Sequence, residues 1–576
     1  MMKIKKIILY YKALYKKELF KRLEYKFKNI IGYFHVRNKI SKVPLNLKLN
    51  DINLNIKGNE LKEKYIDNDV IKIFNEYSSY KEIKSKLNTE SVFWRKIDLK
   101  KYKDIKIIWE YNRLQFLVPI AIKYKKTNNK KYKEYIENII DYWEKNNKYE
   151  YSVNWNNNLE VAIRAINISL TLMILSEDKL NKKYTELLYL HAKYISNEID
   201  YSDCCIPNNH VIGEATALLL LSRIIDIKKS NKWYKKSSLI LSKYLTIIDE
   251  DGLSKENSFT YQWFVTKMYI LSLCFINNKE LFNKINNTIN KSLNVLNFIY
   301  TDNNTYLNYG DNDDGYLYSI YEEYNLINDI KEYYDLFINN KINDETLILN
   351  KILNKFNGNK INNNIEKKSK KYFYNKKIFI YNSNNNLVFF NAKNIEGHAH
   401  NDSLAINLII NNKNIIMDSG TYSYNLNAKE RSYFRGRESH STIQLNNPNA
   451  IEIGTFRWIN KIESYIDKVI ETKDYIKVIG VIENIASREI RIYKNINKIE
   501  IIDKINEDKL ITNWIVSNNS TMSKDIINIE NIKIKFNKTD ILKEEKTMIS
   551  KSYLVKEDAK KYTVESNKEL ETLIEW

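Results

Sequence analysis

Residues 396–442, EGHAHNDSLAINLIINNKNIIMDSGTYSYNLNAKERSYFRGRESHST, hold three of the six histidines of the chain: His398, His400 and His440. Histidine is the side chain whose proton moves near neutral pH and the commonest metal ligand, so this concentration points to chemistry. If a strand begins by His398, then His398, His400 and Asp402 share one face, because side chains alternate along a strand. A His-x-His pair on one face offers two imidazoles to a metal, or one to a metal and one to a substrate. The apolar run Leu404 to Ile410, the turn residues Asn411 to Asn414, and Ile415 to Met417 predict a β-hairpin. Asp418 at the end of the return strand adds a carboxylate. A simple hairpin pairs Asp418 near Asn407, away from His400, so that ligand set requires the chain to bend near Asn401. On local geometry Asp402 is the rival acid. His440 follows a loop carrying Arg431, Arg435 and Arg437, whose guanidinium forks suit carboxylates and sulfates.

Four further polar patches lie upstream. Tyr151 to Asn156, with Asn154 and Trp155, precedes a helix that carries Glu160 and Arg164 at i,i+4, the spacing of a helix-surface salt bridge. In Ile206 to Glu214, Pro207 and the asparagines mark a helix start, with Asn208 or Asn209 as N-cap. His210 and Glu214 then share one helical face. Asp251 to Trp263 contains Glu256 and Tyr261, and Tyr261 reads either as a core tyrosine with a satisfied hydroxyl or as a phenol poised for proton transfer. Tyr309 to Gly315 carries Asp311, Asp313 and Asp314. These acids lack the EF-hand spacing for calcium, so a tight loop is expected.

The elements that position these patches change type along the chain. Residues 1–60 read as a basic helical lead-in and an irregular stretch. From 61 to about 365, apolar residues recur at three- and four-residue spacing in segments such as 112–124, 132–146, 159–175, 184–198, 210–225, 233–248 and 261–275, without strands. Stacked antiparallel helix pairs, as a toroid or solenoid, fit this pattern. Composition shifts to Asn and Lys over 357–371, the expected linker. From 372 to 576 short alternating strands predict an antiparallel β-sandwich, including 378–381, 387–391, 404–410, 443–445, 475–481, 489–493, 499–505, 510–516 and 532–536. The fold class is therefore α+β and multidomain, helical first and β second.

At 576 residues the chain can bury more than one core, and its hydrophobic content of 43% argues against general disorder. The formal charge of +21 suits a polyanion or a solvated lysine-rich surface. No nucleic-acid motif accompanies it, so nucleic acid is not an expected partner. Three cysteines, two of them adjacent, make neither a disulfide framework nor a zinc motif. The N-terminus has a basic head but no long apolar core, so no signal peptide and no membrane span are expected. It reads as a surface helix or as a basic amphipathic helix touching a membrane. The expected location is cytoplasmic or peripheral to the envelope, with the periplasm left open.

The patches, in this order, resemble the heparinase II/III-like polysaccharide lyases. The resemblance is carried by NWNNNLEVAIRA (154–165), NNHVIGEA (208–215), DGLSKENSFTYQWF (251–264), GDNDDG (310–315), GHAHNDSL (397–404), MDSGTYSY (417–424) and RSYFRGRESHSTI (431–443). It implies an incomplete (α/α) toroid followed by an antiparallel β-sandwich, and β-elimination on a uronic-acid-containing acidic polysaccharide. By resemblance, Asn209 or His210 neutralises the uronate carboxylate, Tyr261 is base, acid or both, and His398 is a further base candidate. Asn154, Trp155, Glu214, Arg435 and Arg437 are the expected substrate contacts. A zinc ion held by His400, Asp418 and His440 is implied as a site organiser. Gln262-Trp263 departs from the His or Arg that often follows the tyrosine in this family. Two rival readings are a glycoside hydrolase on an (α/α) scaffold, which needs a carboxylate pair drawn from Glu160, Glu214 and Glu256, and a non-catalytic binder of acidic glycan in envelope polysaccharide assembly.

Overall fold

The computed structural model describes residues 16–39, 43–62, 70–74, 76–359, 361, 371–383, 385–446, 450–453, 455–537 and 539–576. The start of the lead-in, and most of the expected linker, lie outside these residues. Two compact units interleave along the chain. The first takes the chain up to Glu250 with Trp263–Leu293 and Gly315–Ile365, and the second takes Asp251–Gln262, Asn294–Asp314 and the chain from Glu366 onward.

The first unit is the incomplete (α/α) toroid. Its central helix, Asn158–Leu175, packs against Leu117–Thr127, Thr185–Cys205 and Asn209–Ile224. It is long and apolar enough to cross a membrane, yet all of its residues are buried within the unit, as in a core helix. A helix buried all round must pair every polar group it carries. Arg164 donates to His191 Nε2 at 3.0 Å and to the carbonyls of Asn154 and Asn112 at 3.0 and 3.3 Å. Glu160 instead receives a bidentate Arg113 fork at 2.7 and 2.9 Å. The expected Glu160–Arg164 surface pair is thus replaced by two buried pairings. Arg113 is available because the expected helix over 112–124 breaks at Leu114, whose φ is +55°, into Ile105–Asn112 and Leu117–Thr127. Glu214 is fully buried and accepts from Asn158 Nδ2 at 2.6 Å and Ser202 Oγ at 2.7 Å. A short hairpin, Val70–Ile73 with Glu76–Ser79, interrupts the all-helical reading.

The second unit is an antiparallel β-sandwich of two eight-stranded sheets. One runs, in spatial order, through Ser464–Glu471, Tyr475–Ile482, Ala486–Tyr493, Lys498–Ile505, Glu569–Glu575, Ile532–Asn537, Ile526–Ile529 and Thr521–Ser523. The other runs through Ile541–Ile549, Glu557–Ser566, Leu510–Ser517, Lys413–Ile416, Ala405–Ile410, Leu387–Asn391, Ile378–Asn382 and Tyr372–Tyr374. Strands such as Tyr475–Ile482 bury alternate residues, and a continuous core of Ile, Leu, Val and Phe from both sheets lies between them. The strand expected over 443–445 reduces to a single bridge, Ile443 to Thr512. The strands Ile541–Ile549 and Glu557–Ser566 escaped the sequence reading because their charged residues mask the alternation.

A linear division at the linker does not capture the second unit, because the segments after two helix ends join the sandwich. Asn382 Nδ2 donates to the carbonyls of Phe298 and Tyr300 at 3.0 and 2.8 Å, and Thr305 Oγ1 donates to Asn412 O at 2.7 Å.

Burial pushes the Glu214 carboxyl up to about 8, and the hydrogen bonds from Ser202 and Asn158 only partly offset this. A carboxyl raised in the folded state leaves stability intact below its unfolded value, near 4.5, and erodes it as pH rises toward 8. Glu214→Gln should therefore raise the thermal midpoint at pH 8, with the helical unit gaining about 2–5 kcal/mol. The gain should vanish at pH 4.5. Midpoints that shift equally at both pH values would contradict a buried neutral acid.

Candidate functional site

The site lies within the second unit and is built from loops and the ends of two helices, Phe259–Leu273 and Ala428–Phe434. Tyr261 stands in the first turn of the helix Phe259–Leu273, where its N–H donates to Ser258 Oγ at 3.2 Å. Its hydroxyl donates to Asp313 Oδ2 at 3.0 Å and meets the Tyr424 hydroxyl at 3.0 Å. The Tyr261 ring stacks on the His398 imidazole, with centroids 3.6 Å apart and planes 16° from parallel. His398 Nδ1 lies 3.0 Å from Asp311 Oδ2, and its Nε2 lies 3.8 Å from Glu256 Oε2.

Asp311 is the hub. Its carboxylate is fully buried and receives both ends of the Arg431 fork, at 2.5 and 2.7 Å. Oδ1 also faces His400 Nε2 at 3.1 Å. One carboxylate thus touches an arginine and two histidines. Burial alone would raise its pKa, but Arg431, His398 and His400 outweigh that and hold it well below the usual carboxylate range. The Asp311 N–H donates to His398 O at 2.9 Å, which locks the two loops together. Gly310 precedes it with φ +66°, and a Cβ there would lie 2.2 Å from Asn257 O, so only glycine permits this approach.

Beyond Asp311 lies a three-donor centre. His400 Nδ1 is 3.2 Å from His440 Nε2, which is 3.4 Å from Asp418 Oδ2. One donor atom from each residue lies within 4.8 Å of the other two, and all three side chains are buried. The tautomers follow from their partners. His400 Nε2 faces a carboxylate and His440 Nδ1 faces Gly436 O at 2.7 Å, so those nitrogens carry the protons. His400 Nδ1 and His440 Nε2 then point lone pairs at each other beside a third from Asp418. Three converging lone pairs repel unless a proton or a metal ion sits among them. Burial lowers the proton affinity of His440, but Asp418 outweighs it and raises that affinity. Donor atoms on a tetrahedral zinc stand ~3.3 Å apart, so the residues fit a metal ion. Ser419 Oγ, 3.3 Å from His440 Nε2, borders the centre.

The backbone reaches this arrangement without the strand expected at His398. The strand starts at Ala405, and residues 398–403 form a loop in which Asn401 N donates to Arg435 O at 2.8 Å. The anticipated bend near Asn401 is present, and His398, His400 and Asp402 do not share a strand face. Asp402 is buried elsewhere, with Oδ1 3.8 Å from Lys393 Nζ, so it falls outside the donor set. Arg488 supports the loop from the opposite sheet. Paired with Asp503 at 2.6 and 2.9 Å, it donates to Leu404 O at 2.8 Å and Ser441 O at 2.9 Å, next to His440.

Several expected substrate contacts are occupied by the protein itself. Asn154 is buried and donates to Asn112 Oδ1 and Asn147 Oδ1, both at 2.8 Å. Trp155 is buried, with its indole N–H on Asn147 O at 3.1 Å. Glu214 is interior, as described above. Arg435 donates to Thr455 O at 2.6 Å and Glu452 at 3.0 Å, and Arg437 donates to the carbonyls of Ile443 and Ser403 at 2.6 and 2.8 Å. These five act as scaffold, because desolvated polar groups must satisfy one another first. Asn209 and His210 open the helix Asn209–Ile224 in the other unit, and Asn208 is its N-cap, accepting from His210 N at 3.1 Å. Asn209 is buried and His210 half-buried. Arg431, Asp311 and Asp313 stand out in their loops by residue type but not as members of this site, and Tyr424 appears only within a motif. Three acids in a short loop flanked by glycines, in a glycine-poor chain, were the available signal.

The chain belongs to the heparinase II/III family: residues 11–342 match its "Heparinase II/III N-terminus" model and residues 377–569 its "Heparinase II/III-like, C-terminal" model. Solved structures share the fold at low identity. The heparinase III BT4657 gene product aligns with a TM-score of 0.59 at 15% identity, covering 97% of this chain and 90% of that one. A crystal structure of heparinase III aligns at 0.59 and 16%, covering 84% and 79%. Heparan sulfate lyase HepC from Pedobacter heparinus aligns at 0.54 and 15%, covering 86% and 82%. Among curated proteins no sequence matches this chain.

Asp311→Asn keeps the shape but removes the charge that answers Arg431 and orients His400. Metal affinity, measured by chelator competition, should fall about 10–100-fold. Unchanged affinity would show that the carboxylate does not organise the centre.

Proposed function

We propose that this chain is a polysaccharide lyase that opens a uronic-acid-containing acidic polysaccharide by β-elimination, with His398 as the base and Tyr261 as the acid. The observation that carries the assignment of roles is the stacked Tyr261–His398 pair, in which each ring has its own carboxylate. The chemistry requires a proton to leave C5, the C4–O4 bond to break, and a proton to reach O4. Asp311 accepts from His398 Nδ1–H, which leaves Nε2 as the proton-accepting atom. Burial, and then the Asp313 charge, raise the Tyr261 phenol well above its ordinary value, so it is a neutral O–H at working pH and a proton donor. After product leaves, His398 loses its proton to solvent and Tyr261 regains one, which closes the cycle.

The uronate carboxylate resists further negative charge and must be neutralised. By resemblance to the family, Asn209 or His210 takes that role. His400, Asp418 and His440 would hold a zinc ion, whose nitrogen and oxygen donor set suits that metal. Bound there, the ion supplies a fixed positive charge that keeps the three donors together. The formal charge of +21 suits an acidic glycan. The hydrolase reading is not favoured, because Glu160 is held by Arg113 and Glu214 is buried and protein-bonded.

The test is ultraviolet absorbance from new unsaturated uronate, with purified protein on a panel of acidic polysaccharides. The panel includes heparan sulfate, chondroitin, hyaluronan, alginate and the acidic surface glycan of the source cell. One substrate should give a rise that Tyr261→Phe and His398→Ala each cut by about 10²–10⁴-fold. A rise that survives both substitutions would overturn the assignment of roles.

A further inference from the structure

The helix Lys16–Ile30 is docked by one face and bare on the opposite one. Tyr25 and Glu18 are buried beneath it, and the Tyr25 ring lies 4.3 Å from that of Tyr201. Arg22 reaches the Tyr201 hydroxyl at 3.2 Å and Cys205 O at 3.3 Å. At 100° per residue, Phe20, Leu23, Phe27, Ile30 and Ile31 fall within an arc of about 100° on the far side. They are exposed by 71, 51, 62, 74 and 56%. Docking to the unit therefore does not explain this apolar stripe, and solvated hydrophobes in such an array mark an interaction surface.

Charge identifies the partner. Lys17, Lys21 and Lys28 border the stripe on one side, where Glu24 pairs with Lys21 and Lys28, and Lys26 borders it on the other, by the same helical geometry. The helix carries six basic residues against Glu18 and Glu24, and Glu18 is buried against Arg22. The fifteen residues before it add four lysines and no acid. A second copy of the chain would bring like charges together. An anionic lipid surface instead accepts the apolar side chains below its headgroups while the lysines reach its phosphates. We propose that this helix lies in the plane of an anionic membrane surface and holds the protein there peripherally.

The test is co-sedimentation of the full chain with vesicles of phosphatidylcholine containing about one-third phosphatidylglycerol, against phosphatidylcholine alone. Binding should require the anionic lipid and weaken as salt is raised. A Phe20→Ser/Phe27→Ser double variant should bind at least about tenfold more weakly. It should keep the wild-type thermal midpoint, because both side chains are already exposed. Three outcomes would overturn the proposal: no binding to anionic vesicles, equal binding by the double variant, or a wild-type dimer that the double substitution dissociates while neither protein binds vesicles.

Discussion

The Asp311 carboxylate is the interaction on which the site depends. It is fully buried, so its charge must be answered on the spot, and Arg431, His398 and His400 answer it together. That compensation fixes the tautomer of each imidazole. His398 is left with its lone pair on Nε2, and His400 with Nδ1 aimed at His440 and Asp418. One carboxylate therefore orients both histidines that the proposed reaction and metal site would use, each of its oxygens facing a different one.

The sandwich exists in part to hold these loops. Arg488 and Asp503 form a buried pair that would gain little as a pair alone. Its further donors grip the carbonyls of Leu404 and Ser441, so the sheet pins the chain just after His400 and just after His440. Gly420 performs a similar service at the end of the return strand. With φ +76°, it lets the backbone pass Ser550 O where a Cβ would sit 1.8 Å away. Asp418 and Ser419 are thereby held beside His440.

Fold class was legible because periodicity switches from helical to alternating near residue 372 and reports burial directly. Charged strands such as Glu557–Ser566 were not legible, since their alternation is blurred by Lys and Glu. The donor set His400, Asp418 and His440 followed from the resemblance and meets in space. Arg435 and Arg437 were misjudged because a sequence shows a guanidinium but not its backbone acceptors. Asp311 was missed for a related reason: its partners lie about 90–120 residues away, and no local spacing announces such a contact. The interleaving of Asp251–Gln262 and Asn294–Asp314 with the sandwich is the same kind of fact, set by tertiary hydrogen bonds and not by composition.

The most direct measurement is mass spectrometry of the fragments released from a defined oligosaccharide of the substrate the chain cleaves. Elimination breaks C4–O4 without adding water, so the account predicts fragment masses that sum to that of the starting oligosaccharide. Fragments whose masses exceed it by one water would mean hydrolysis, and would contradict proton abstraction by His398 as the central step.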